Sequence, residues 1–310
     1  MSNFYQKLCD AIGAASVREQ EPMSAHTTFR AGGPARYFVT PEGEKELAAV
    51  LAACREAEEA YYILGNGSNL LVSDAGYPGV MVLLGSQFTE VVRPEGEPGV
   101  YELGAGVLLS RAAREAQKDG MTGFEFAAGI PGTVGGGIYM NAGAYGGEMK
   151  QVVAGVTVMY PNGTTEEIPA ASLDLGYRHS RFMEEDCVIL RVQVQLQKGN
   201  REDIRARMTE LMGKRRASQP LEYPSAGSTF KRPKEGYAAA LIEQAGLKGR
   251  RVGGAQVSEK HAGFVINREK ATCEDVLALM AQVEEEVYRS SGIRLEPEVR
   301  VMEVKRPCGF

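Results

Sequence analysis

Apolar residues recur at helical spacing in the stretch 41–60, where Leu47, Val50, Leu51 and Cys54 follow an acidic opening turn. A strand-like YYILG comes next, then the polar break NGSN, then LLVS. The turn cluster DAGYPG leads into VMVLLG, a further strand, and VYELGAG feeds a helix reading LLSRAAREAQKDG that should stop at Gly120. In GVTVMYPNGTTEEIP, two apolar-alternating runs flank Asn162-Gly163, a hairpin signal. CVILRVQVQLQKG alternates over its second half, as a half-buried strand does.

Beyond residue 200 the pattern changes. NREDIRARMTELMGKRRASQP predicts a charged helix ending at Pro220, and a domain boundary is placed near it. A short helix at YAAALIEQAG, a strand at AGFVINR and a long helix follow. Thr272 and Asp275 form a capping-box pair for that helix, whose Val276, Leu279, Met280, Val283 and Val287 make one apolar stripe. IRLEPEVRVMEV closes the chain as another strand pattern. The class is α+β, with a first part rich in strands and turns and a smaller mixed lobe from about Met212 to Glu298.

Composition narrows what such a chain can do. Its 310 residues carry a net charge of -5, which disfavours a general nucleic-acid binder while leaving room for local phosphate sites. The N-terminus lacks the continuous apolar core of a signal peptide, and no apolar run reaches membrane-spanning length. Five cysteines are scattered, odd in number and free of any CxxC spacing. They fit reduced thiols in a cytoplasmic protein rather than a disulfide framework or zinc site. His26, His179 and His261 are too dispersed to suggest a metal helix, so no metal is expected.

Two glycine-bearing turns stand apart: Gly65-Asn66-Gly67-Ser68-Asn69 directly after a strand, and the segment from Gly129 through Ile130, Pro131, Gly132, Thr133, Gly135 and Gly136 to Asn141 and Gly143. Glycine removes the Cβ that keeps a ligand from main-chain N–H groups, and successive N–H groups form anion-binding concavities. A helix starting at GTVGGGIYM, with Thr133 near its cap, would add its positive end. A pyrophosphate is the natural guest, although a lone glycine turn is more often just a tight turn. GNGSNL lacks the third glycine of GxGxxG and no GxxxxGK[ST] occurs, so neither a Rossmann fold nor a P-loop is supported.

The segments TTFRAGGPARY, ILGNGSNLLVSDAGYPGVMV, AGIPGTVGGGIYMNAGAYGGEM, YRHSRF, AGSTFKRP, GGAQVSEKHAGFVIN and LEPEVRV occur in the order found in UDP-N-acetylenolpyruvoylglucosamine reductases. The chain resembles the shorter branch of that family from about Thr27 to Val301. The resemblance implies an FAD domain of the vanillyl-alcohol-oxidase type in two α+β subdomains, residues 1–78 and 79–211. A substrate lobe at 212–298 follows, with a strand at 299–310 returning to the first subdomain. It further implies non-covalent FAD, NADPH as reductant, the enolpyruvyl ether of UDP-N-acetylglucosamine as substrate, a cytoplasmic monomer, and a role in peptidoglycan precursor synthesis.

That reaction places negative charge on a carbon beside a carboxylate, so it needs preorganised donors at the oxygens and a proton donor at the carbon. The resemblance implies Arg178 for the carboxylate, Ser228 as proton donor and Glu298 as the acid assisting the enol. On the residues alone each has a plainer reading: a solvated loop arginine, a turn serine, a strand-end glutamate. Glu296 is then as plausible as Glu298. Tyr177, Arg232, Lys260 and His261 are candidates for substrate contacts, with Lys231 as a possible helper to Ser228. Two rivals remain from the residues: a related FAD enzyme acting on another small alcohol or acid, and a glycine-rich binding protein without catalysis.

Overall fold

The computed structural model describes residues 3–302, so Cys308 and the 303–310 part of the expected C-terminal strand lie outside the described residues. The chain divides into two compact units: residues 1–18, 37–66 and 79–215 form unit 1, and residues 19–36, 67–78 and 216–310 form unit 2.

Unit 1 contains helices α1 (Asn3–Ile12), α2 (Glu44–Glu56), α3 (Leu109–Asp119) and α4 (Val134–Tyr139), and most of α5 (Arg201–Ser218). The stripe read from the sequence is the buried face of α2: Leu47, Val50, Leu51 and Cys54 are all fully buried. Glu44 and Glu46 sit in its first turn, where carboxylates complement the helix dipole. Helix α3 ends as expected at Gly120, which takes the left-handed conformation that terminates helices at little cost to a residue without a Cβ. The central sheet has five strands. Val153–Met159 lies between Thr165–Pro169, its hairpin partner, and Val188–Gln195, which in turn pairs with Val100–Gly104 and then Val91–Val92. The four ladders of this sheet are antiparallel. A smaller parallel ladder joins Tyr61–Leu64 to Val80–Leu83 and delivers the chain to Gly65. Helix α4 starts where GTVGGGIYM suggested, with Thr133 as its cap, and is built around three glycines; α1, which the sequence reading did not include, buries Phe4, Leu8 and Ile12.

Unit 2 is organised by α6 (Ala238–Gln244) and α7 (Cys273–Ser291) beside a three-stranded antiparallel sheet of Arg251–Val252, Ala255–Val257 and Val265–Asn267. Thr272 and Asp275 form the expected capping box, and Val276, Leu279, Met280, Val283 and Val287 are buried together. Asp74 adds a second cap, accepting the Cys273 and Glu274 amides at 2.8 and 2.9 Å. The expected closing strand is shorter than its pattern. Among the described residues it is a strand only at Arg300–Met302, paired in parallel with Leu70–Val72, because Pro297 has no N–H to continue a ladder.

Candidate functional site

In unit 1 the two glycine turns meet. The Asn66 side-chain amide donates to the Pro131 carbonyl at 2.6 Å. A Cβ on Gly65 would stand 2.8 Å from the Thr133 hydroxyl oxygen, so only glycine permits this approach. Thr133 caps α4 and accepts the Gly136 amide at 3.3 Å. Just behind it, Val134 and Gly135 donate to the carbonyls of Val107 and Ala105 at 2.7 and 2.8 Å. A Cβ on Gly135 would meet the Ala105 Cβ at 2.8 Å, which makes this glycine a packing requirement rather than an opening. Gly143 has the same character, since its Cβ would lie 2.7 Å from the Gly147 carbonyl in the hairpin Gly143–Ala144/Gly147–Glu148. Gly129 packs against Met212 and Arg215, and Ile130 packs into the apolar core.

What remains accessible is Asn66, Pro131 and Gly136, with Gly65 and Gly132 half-exposed. Among the described residues, the main-chain amides of Asn66 and Thr133 donate to no protein acceptor. Neighbouring unsatisfied N–H groups of this kind fit a diphosphate, which supplies several anionic acceptors at once. The donor set therefore suits the flavin dinucleotide. On the unit 2 side of the first turn, Gly67 has φ +59° and its carbonyl accepts the Thr28 amide at 3.1 Å. A Cβ there would fall 2.0 Å from the His26 carbonyl. Asn69 donates to the Glu298 carbonyl at 3.0 Å, and Ser68 is half-buried.

Arg178 also belongs to unit 1. It stands with Tyr177 at the tip of a tight turn closed by reciprocal bonds between Gly176 and His179, at 3.1 and 3.3 Å. Its φ is +53°, a conformation a non-glycine residue keeps only when its surroundings enforce it. The enforcing contacts come from the glycine-rich segment. Asn141, almost fully buried, donates to the Gly176 carbonyl at 2.9 Å and to Glu148 at 3.1 Å, and accepts the Lys150 amide at 2.9 Å. Ser180, wholly buried, donates to the Tyr139 carbonyl at 2.7 Å. The Asn141 side chain is thus fully engaged by protein groups, and what it offers the site is the placement of the arginine turn. Tyr177 is exposed, with the Arg178 guanidinium 5.3 Å from its ring centre. Ser180 is the residue the sequence reading passed over, since nothing in YRHSRF distinguishes a buried anchoring serine from a solvated one.

In unit 2 a different device fixes Ser228 and Glu298. Between exposed Ser228 and buried Phe230 lies Thr229, buried and pinned on three sides. Its amide donates to the Gly263 carbonyl at 2.8 Å, its hydroxyl accepts the Val265 amide at 2.9 Å, and its carbonyl accepts the Glu298 amide at 2.8 Å. A bridge between Phe230 and Pro297 continues the pairing. Ser228 and Glu298 are therefore held on adjacent extended segments, one residue out of register. The same pairing separates the two glutamates that the sequence left equal: exposed Glu296 is ion-paired with Lys231, whereas Glu298 is half-buried. Arg232 stacks on the exposed ring of Tyr237 at 4.1 Å. Lys260 donates to the Arg216 carbonyl at 2.7 Å and lies 3.8 Å from Glu222. His261 lies in the turn after Val257, where its ring nitrogen Nδ1 accepts the Gly263 amide at 3.2 Å and its ring meets Phe264 edge-on at 4.9 Å. Burial lowers the imidazole's proton affinity below the ordinary value.

Two family models match the chain. Residues 35–169 match a family model described as an FAD binding domain, and residues 219–302 match one described as the C-terminal domain of UDP-N-acetylenolpyruvoylglucosamine reductase. A relative named UDP-N-acetylenolpyruvoylglucosamine reductase from Caldanaerobacter subterraneus subsp. tengcongensis is 45% identical over 96% of this chain and 97% of its own. One of the same name from Lachnoclostridium phytofermentans is 45% identical over 96% of both chains. The crystal structure of UDP-N-acetylenolpyruvylglucosamine reductase from Thermus caldophilus superposes with a TM-score of 0.81 at 36% identity, covering 93% of this chain and all of that one.

Proposed function

This chain belongs to the UDP-N-acetylenolpyruvoylglucosamine reductase family, an FAD-containing oxidoreductase family of peptidoglycan precursor synthesis, and we propose that it uses NADPH to reduce the enolpyruvyl ether of UDP-N-acetylglucosamine to UDP-N-acetylmuramate. What supports the cofactor part most is the packing of Gly65 and Asn66 against Pro131 and Thr133, which brings together two turns with unbonded main-chain amides of the kind a diphosphate uses. Bound FAD, reduced by NADPH, supplies the hydride.

The remaining chemistry falls to side chains of this protein. Hydride arriving at the terminal carbon leaves negative charge on the adjacent carbon and its carboxylate. Arg178 meets those oxygens with a planar fork that stays charged at any working pH. Its turn is rigid, so the guanidinium needs no costly reorganisation as charge develops. Ser228 delivers the proton to carbon. Serine is a weak acid, but the acceptor is a strong base, and the pinned Thr229 keeps the hydroxyl in place. Glu298, in its protonated form, donates to the same developing charge, since a bare carboxylate would repel it. Glu296, neutralised by Lys231, takes no part. We place the reaction in the cytoplasm; no helix of the described residues is long and apolar enough to cross a membrane.

The test is turnover. Incubation with NADPH and the enolpyruvyl nucleotide should yield a product two hydrogens heavier by mass spectrometry, with a stoichiometric loss of NADPH absorbance. Oxidation of NADPH without conversion of that nucleotide, or turnover only with simple hydroxy acids, would refute the substrate assignment.

A further inference from the structure

Arg215, near the end of α5, is the one arginine of unit 1 whose surroundings make little sense for the protein alone. Its side chain lies against the second glycine turn: a Cβ on Gly129 would stand 3.0 Å from the Arg215 Cδ and 3.0 Å from the Met212 sulfur. The guanidinium is mostly withdrawn from water, and among the described residues it has neither a hydrogen bond nor an ion pair. Among the described residues the Tyr145 hydroxyl, carried by a hairpin residue with φ +53°, is a titratable group near enough to act on it. On the same helix Arg207 and Lys214 both pair with Glu210 at 2.7 and 2.6 Å, and Arg201, Arg205 and Arg216 are exposed to water. Arg215 is sheltered without such a partner.

An arginine cannot escape burial by losing its proton, because its proton affinity is too high. A sheltered guanidinium without an anion is therefore a standing cost, and removing such a charge usually stabilises the fold that holds it. A protein keeps that cost where the missing anion arrives with a ligand. The neighbours indicate which ligand. Gly129 leads within four residues to Thr133, whose amide is unbonded and whose hydroxyl touches the Gly65 turn.

We propose that Arg215 is a nucleotide-diphosphate-binding residue, in the first place for the diphosphate of the flavin dinucleotide, supplying the one full positive charge of a site otherwise built from main-chain amides. The inference rests on the assignment of the glycine turns as the flavin cradle and extends it to a side chain outside them. Gly129 has its role in this arrangement: any side chain there would push the guanidinium aside.

The experiment compares the wild type with Arg215→Met and Arg215→Lys as flavin-free proteins. Binding of FAD and of riboflavin, which lacks any phosphate, is followed by flavin fluorescence, and thermal melts are recorded with and without inorganic pyrophosphate. Arg215→Met should melt at or above the wild-type temperature, bind FAD roughly 10- to 100-fold more weakly, as loss of a charge-assisted contact implies, and bind riboflavin as the wild type does. Pyrophosphate should raise the melting temperature of the wild type and not of Arg215→Met, with Arg215→Lys intermediate. If FAD affinity holds while KM for the sugar nucleotide or NADPH rises by that factor in flavin-saturated enzyme, the diphosphate partner is the substrate's or the reductant's, and the anion-binding role stands. Unchanged FAD affinity, unchanged KM values and an unchanged pyrophosphate effect would overturn it. A wild-type protein that binds no FAD would instead remove the cofactor assignment beneath it, and the two failures are thereby distinct.

Discussion

The two units hold their functional groups by opposite means. Unit 1 presents main chain: the Asn66 and Thr133 amides lie open because glycines let the turns close on each other. Even Arg178, the proposed carboxylate partner, is carried on a backbone turn in a left-handed conformation. Unit 2 presents side chains from two extended segments, which buried Thr229 ties together beside Ser228 and Glu298. A main-chain site tolerates substitution wherever the backbone path is kept, and fails wherever a Cβ intrudes. A side-chain site fails at single atoms.

The sharpest break in that comparison is Ser228→Ala, which removes one oxygen and leaves the pairing intact. Reoxidation of reduced enzyme by the enolpyruvyl nucleotide should slow by about 10²- to 10⁴-fold, the usual worth of a positioned proton donor. Bleaching by NADPH should keep its wild-type rate; stopped-flow absorbance reads both. Equal rates in both half-reactions would take the proton from another group.

In unit 1, Asn141→Ala should act through both stability and the arginine turn. It leaves the Lys150 amide without its partner and the Gly176 carbonyl with the His179 amide alone, at about 1–3 kcal/mol in all. The melting temperature should fall by several degrees, and kcat should fall in flavin-saturated enzyme as Arg178 loses its fixed pose. A variant that melts lower with kcat intact would make Asn141 a purely structural residue.

A smaller effect is expected with pH. The folded protein disfavours protonated His261, because burial opposes the charge and a second ring proton would abolish acceptance of the Gly263 amide. The unfolded chain then binds more protons as pH falls from the ordinary 6.5 through the lowered folded value, so stability declines across that window and is complete above it. Denaturant melts between pH 7 and 5 should show a shallower decline for His261→Asn, whose amide oxygen can still accept. The smallest change is Glu296→Gln. It breaks an exposed ion pair of about 0–1 kcal/mol and should leave turnover unaltered, in contrast to Glu298→Gln. A large loss from Glu296→Gln would reverse the assignment of the two carboxylates.

These differences also explain what the sequence could disclose. Glycines at Gly65, Gly67 and Gly135 announce close backbone approach, so these tight contacts were legible in the sequence, as were the α2 and α7 stripes and the Thr272 cap. The pairing of the segments carrying Ser228 and Glu298 was not readable from pattern. It spans about seventy residues, is a single bridge between Phe230 and Pro297, and Pro297 interrupts the alternation. Only family resemblance marked them. Arg215 was invisible for another reason: in GKRRAS it is one cation among several, and its isolation from carboxylates exists only once α5 is laid beside Gly129.

The most direct measurement is the visible spectrum of the purified protein, taken anaerobically through one cycle. The account predicts flavin absorbance that bleaches on adding one equivalent of NADPH and returns on adding the enolpyruvyl nucleotide. A colourless protein that cannot be reconstituted with FAD, or a bleached flavin that the nucleotide fails to reoxidise, would contradict it.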